Sequence, residues 1–106
     1  MTDYFDNVDQ GYSGSRSSAI EQGEILDLSA QGRNFGFKWP VAITKAVSDS
    51  ELDNELVVAR AADRVCLIGP RADRMRFRVN GQAFQLIAHP GDDGEPVLTI
   101  RVAPNL

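Results

Sequence analysis

Cys66 and His89 are the only residues of their kinds in the chain, so a nucleophile and base pair would have to be assembled across the fold. Cys66 precedes Leu67-Ile68, an apolar neighbourhood in which a thiol is inert rather than activated. One Cys and one His also fall short of a tetrahedral zinc site unless carboxylates fill the remaining positions. The best cation candidate is the trio Asp92, Asp93 and Glu95, hard oxygens on a Gly-containing stretch. Their spacing is not that of an EF-hand, and Asp beside Gly between two strand patterns is the composition of a turn whose carboxylates bond the local backbone. The sequence therefore predicts no catalytic residue, no metal and no cofactor. A third group, Arg74, Arg76 and Arg78, occupies alternate positions of one strand pattern. Such a row can grip phosphates or an acidic protein surface, and it equally suits a solvated edge that resists aggregation. That face lacks interleaved aromatics for stacking bases.

The charge distribution sharpens the choice of partner. Over 106 residues the formal net charge is -4, which argues against a general nucleic-acid binder, whose affinity rests on a basic surface. The acids are clustered. Asp3 and Asp6 flank Tyr4 and Phe5 near the start, and Asp49, Glu51, Asp53 and Glu55 form a second run. Between Arg60 and Arg78 lie six Arg against Asp63 and Asp73. A surface split in this way suits a partner of mixed charge. The candidate protein contacts are Asp3, Tyr4, Phe5, Asp6, Asp49, Glu51, Asp53 and Glu55; the nucleic-acid alternative rests on Arg74, Arg76 and Arg78. With 42% hydrophobic and 25% charged residues the composition is that of an ordinary globular domain. Neither a membrane span nor a signal peptide is visible, and a single Cys fits a reducing compartment, so a cytoplasmic location is expected.

The elements that must position these groups follow from local pattern. Residues 1–12 have neither helical nor strand period and read as an acidic, aromatic arm; residues 13–106 read as one domain. Ser15 to Gly23 has a Ser cap and a Gly stop and predicts a short helix, followed by a strand over Glu24–Leu28. Ala30 to Phe35 reads as a helical turn that Gly32 weakens and Gly36 ends. Pro40 suits the first position of a helix continuing through Val47, with Trp39, Ile43, Ala46 and Val47 on one face. The stretch Phe35–Val47 is thus the expected keystone of the core, and Trp39→Ala is expected to unfold the domain. A further helix is predicted from Ser50 to at least Ala62, with Leu52, Leu56 and Ala59 inward and its acids at the favourable N-terminal end. Val65–Ile68 stays open between helix and strand. Met75–Val79 alternates with period two before Asn80-Gly81, a strong hairpin signal, which sets Phe77 opposite Phe84 and Arg76 opposite Gln85. His89–Pro96 reads as a loop, and Val97–Val102 as a last strand with Leu98, Ile100 and Val102 on one side. The expected architecture is α+β: three or four short helices on an antiparallel sheet of three to four strands.

One set of motifs resembles a known family. Tyr12-Ser13, Ala19-Ile20-Glu21-x-Gly23, Ile25-x-Asp27-x-Ser29, Gly36-Phe37-Lys38-x-Pro40-Val41-Ala42-x-Thr44-x-Ala46-Val47 and Pro90-Gly91-Asp92-Asp93-Gly94-Glu95-Pro96-Val97-x-Thr99-Ile100 resemble an uncharacterised family of small accessory proteins carried on plasmids and phages. The resemblance covers residues 12–47 and 75–100 and leaves 48–70 unmatched. It implies genetic company rather than chemistry: a non-enzymatic protein-binding accessory protein of a mobile genetic element, of the kind that inhibits a host defence complex in anti-CRISPR or anti-restriction fashion. The alternative is a small nucleic-acid-binding regulator using the Arg face. An unpaired strand edge or the Arg face would also serve to pair two copies, which leaves the oligomeric state open.

Overall fold

A computed structural model describes residues 14–68, with 66–68 by backbone alone, and residues 74–103. The arm at 1–12, with the candidate contacts Asp3, Tyr4, Phe5 and Asp6, lies outside the described residues, as does the expected helix stop at Gly69-Pro70. The chain opens with α1 (Arg16–Glu21), whose N-cap Ser15 accepts a hydrogen bond from the Ser18 amide at 3.1 Å. Gly23, at φ 78°, turns the chain into β1 (Ile25–Asp27). Next come α2 (Ser29–Asn34), β2 (Val41–Thr44), α3 (Lys45–Ser48), α4 (Asn54–Ile68), β3 (Arg74–Val79), β4 (Gln82–Pro90) and β5 (Pro96–Val102). The fold is α+β, with four helices on a five-stranded sheet ordered β1-β2-β5-β4-β3.

The sheet is mixed and larger than the sequence predicts. Val41–Thr44 forms a central strand rather than a helix, antiparallel to β1 and parallel to β5. Three of its four residues are β-branched and all four are buried, as befits a strand covered on both faces. Pro40 serves this strand as well as it would serve a helix, because a residue without an N–H is tolerated at a strand's first position. Its carbonyl still accepts from the Leu98 amide at 2.8 Å. Only Lys45–Ser48 becomes helical, and the Ser50 hydroxyl closes that turn on the Val47 carbonyl at 2.6 Å instead of starting α4. Asp53 starts α4: its carboxylate accepts from the Glu55 amide at 3.0 Å. Val65–Ile68 completes that helix.

One sheet face carries the main core. Val41 and Ile43 of β2, Leu98 and Ile100 of β5, Phe84 and Leu86 of β4, and Met75, Phe77 and Val79 of β3 pack under Val57, Val58, Ala61 and Ala62 of α4, with Val47 of α3 beside them. Leu52 and Leu56 join this cluster from a partly buried position. On the opposite face α1 lays Ala19 and Ile20 over Ile25 and Ala42. The keystone is therefore only partly where the sequence places it. Phe37, Val41, Ile43 and Val47 are buried, whereas Trp39 is 40% exposed and Phe35 38%.

The C-terminal hairpin has the predicted register. Phe77 pairs with Phe84, Met75 with Leu86, Arg76 with Gln85 and Arg78 with Ala83. Asn80 (φ 50°) and Gly81 (φ 86°) make the tight turn, and the Phe77 and Phe84 ring centroids lie 5.7 Å apart. The predicted loop at His89–Pro96 is shorter than expected. The strands run on until Pro90 pairs with Pro96, and only 91–95 turns, closed by the Gly91 amide on the Glu95 carbonyl.

Gly32 marks where α2 meets the core. A Cβ there would sit 2.9 Å from Cγ2 of the fully buried Val41 and 3.5 Å from Cδ2 of Phe37. Replacing Gly by Ala in a helix gains roughly 0.5–1 kcal/mol, but overpacking a closed core costs typically ~1–3 kcal/mol. Gly32→Ala is expected to destabilise the domain in urea denaturation, against its helix propensity; a gain in stability would show that Val41 moves aside without cost.

Candidate functional site

His89 occupies the strand β4, fully buried, rather than a loop. Its Nδ1 lies 3.1 Å from the Pro90 carbonyl, which can only accept, so Nδ1 carries the proton and donates. In that neutral tautomer Nε2 accepts from the Thr99 hydroxyl at 2.6 Å. Burial pushes the imidazole below its ordinary value, against the pull of the Pro90 carbonyl and helped by Arg16. A ring held neutral between two strands is a structural histidine. Cys66 falls on α4, where the backbone is described without its side chain.

The carboxylates of the β4–β5 turn are engaged with backbone amides. Asp92 accepts from the Arg16 amide at 2.6 Å and the Ser17 amide at 3.0 Å, fastening the turn to the start of α1. Glu95 accepts from the Asp93 amide at 2.9 Å. Among the described residues no three His, Cys, Asp or Glu side chains are grouped so as to hold a metal ion. The Ser17 and Arg16 amides hold the Asp92 carboxyl below the usual carboxylate range. Asp27 is also lowered: burial alone would raise it, but the hydroxyl (2.6 Å) and amide (3.0 Å) of Ser29, with Arg16 and Arg33 nearby, outweigh that effect.

The charged candidates divide between the start of α4 and the strand β3. Asp49, Glu51, Asp53 and Glu55 are all exposed on the α3–α4 connection and the first turn of α4. Asp53 doubles as the helix cap described above. Beyond that turn, Arg60, Asp63 and Arg64 of α4 and Arg76 and Arg78 of β3 line an open groove of about 540 Å³, although Arg76 and Arg78 alternate with the α4-facing Phe77 and so leave the strand on the other face of the sheet. Phe77 and Ala83 supply its apolar lining. Arg74, one repeat along the strand, is exposed but does not line the groove. The alternation of β3 announces Arg76 and Arg78. Arg60 and Arg64 went unnoticed as partners, although their spacing of four residues on the solvent side of a helix is a readable signal.

A second surface was missed because apolar residues are assigned to the core by default. Among the described residues the large exposed apolar side chains are Leu26 at 43%, Phe35 and Trp39. All three belong to the β1–α2–β2 unit, Leu26 on the edge strand β1 and Phe35 and Trp39 on the connection from α2 to β2. No helix of the described residues is long and apolar enough to cross a membrane. Comparison with family models, curated proteins and solved structures finds no match to this chain.

The titrating groups give an acid-stability profile with two steps. His89 and Asp92 both have folded values below their ordinary ones of 6.5 and 3.8. The unfolded chain therefore takes up the proton first, and stability present above each ordinary value is lost as the pH falls from it through the lower folded value. The thermal midpoint should begin to drop as the pH falls below 6.5 and drop again below 3.8. Asp92→Asn should shrink the second step, leaving the part due to Asp27, and leave the first unchanged; an unaltered acid limb would show that the Asp92 contacts contribute nothing.

Proposed function

We propose that this chain is a non-enzymatic protein-binding accessory protein of a mobile genetic element, acting in the cytoplasm as an inhibitor of a host defence complex of the CRISPR or restriction type. The observation that carries the binding reading is the exposure of Trp39. The chain's only Trp stands 40% exposed, with Phe35 and Leu26 exposed in the same β1–α2–β2 unit, while smaller apolar residues fill the core. Trp is enriched among the residues that dominate protein–protein affinity, because one rigid side chain buries much apolar area at little entropic cost. A non-enzymatic role is supported by the engagement of the chemical candidates. His89 bridges two strands, and Asp92 and Glu95 bond backbone amides. The mobile-element setting and the defence-complex target rest on the family resemblance in residues 12–47 and 75–100.

Trp39 separates binding from folding. Trp39→Ala should cost about 1 kcal/mol or less, as substitutions away from the core do, whereas Ile43→Ala, which empties a fully buried site, should cost ~2–5 kcal/mol. Tagged wild-type chain isolated from the bacterial host of such an element should retain a defence complex, and folded Trp39→Ala should release it. Unfolding of Trp39→Ala, or recovery of DNA in place of protein, would reverse the reading.

A further inference from the structure

We propose that the N-terminal segment 1–13 is a further layer of the domain, docked on the sheet face opposite α4 with its aromatic side chains over Ile87. Leu86 and Ala88 of β4 belong to the core under α4, so by alternation Gln85, Ile87 and His89 look the other way. Ile87 is fully buried there, yet it belongs to neither apolar cluster. Its neighbours on that face are polar: Gln85 and His89 along the strand, Thr99 and Arg74 across it. A buried apolar side chain on a sheet needs a packed layer above it. Of the described helices, α2, α3 and α4 pack on the opposite face, and the apolar contacts of α1 are with Ile25 and Ala42 on the β1–β2 half.

Composition and position single out 1–13 from the other stretches outside the described residues. Residues 69–73 hold no large apolar side chain. Residues 104–106 follow Ala103, whose amide bonds the carbonyl of Ala83, four positions along β4 from Ile87 and so about 14 Å away. Residues 1–13 carry Tyr4, Phe5, Val8 and Tyr12. They join α1 at Gly14, beside the Arg16 amide that Asp92 fastens to the β4–β5 turn, and so enter this face at the end where His89 lies. An extended segment of that length spans up to ~45 Å, ample to cross β5 and β4 to β3. The charges agree with the apolar match. The segment carries Asp3, Asp6 and Asp9 and no Lys or Arg, while Arg74, Arg76 and Arg78 of β3 and Arg101 of β5 leave the sheet on this face. Arg74, Arg76 and Arg101 are each already engaged, as is Gly14 where the segment meets α1, and the three carboxylates fit that role. The acidic, aromatic start of the chain then serves the domain's own packing rather than the partner contact expected from its composition.

The test is a methyl-edited NOESY spectrum of the intact chain with labelled isoleucine methyls. Cross-peaks between the Ile87 methyls and ring protons of Tyr4, Phe5 or Tyr12 are expected, and Trp39→Ala should leave them intact, which separates this layer from the apolar unit around Trp39. Tyr4→Ala with Phe5→Ala should lower the thermal midpoint by about 5 °C or more. Asp3→Asn with Asp6→Asn and Asp9→Asn should lower it more at low salt than at high salt. Three outcomes overturn the proposal. These are Ile87 methyls without cross-peaks to any of the three rings, ring cross-peaks to the Trp39 indole in their place, or an unchanged midpoint in the aromatic variant. Cross-peaks found only between labelled and unlabelled chains in a mixed sample would also overturn it, by making the segment of a second copy the occupant.

Discussion

The parallel ladder between β2 and β5 is the constraint on which the rest of the molecule depends. Val41 pairs with Leu98, Ala42 with Thr99 and Ile43 with Ile100, between segments more than fifty residues apart in sequence. On one side of this seam lie β1 and β2 with α1 and α2, and on the other the β3–β4 hairpin held by β5. Along this seam both strands are buried on both faces, and the buried polar side chain of Thr99 is matched by its hydrogen bond with His89. Parallel neighbours need a crossover connection, and here α3, α4 and the β3–β4 hairpin supply it. The placement of α4 over the sheet, and with it the groove beside β3, is a consequence of that seam.

Legibility in the sequence follows the range of the interaction. The hairpin was readable down to its register, because Asn80-Gly81 dictates a two-residue turn and a period of two fixes every pair beyond it. The Ser15 cap and the Gly23 stop were readable for the same reason: each acts within four residues. β2 was not. Four residues bounded by Pro40 carry no period, and what makes them a strand is the pairing with β1 and β5, which no window around residue 41 contains. The sheet was accordingly expected with fewer strands and without its parallel pair.

The candidate site divides along the same line. The outward alternation of Arg76 and Arg78 is legible, but the groove they line with Arg60 and Arg64 depends on α4 packing across β3. Trp39 was misplaced because size and apolarity were read as burial. Its exposure follows from the irregular approach to β2, which no local pattern announces. The Asp92 contact to α1 joins positions 76 and 75 residues apart, so the turn could be recognised in the sequence while its partner could not.

The two sheet edges present opposite chemistry. Edge strands invite pairing with other chains, and proteins blunt them with short length or with charge. β1 is only three residues long and bears the exposed Leu26, whereas β3 is six residues long and bears three Arg on one face. Length protects the first edge from strand addition while leaving it apolar. Charge protects the second from joining a copy of itself while making it attractive to acid. Along α4 the exposed charge changes sign, from Glu55 in its first turn to Arg60 and Arg64 further on.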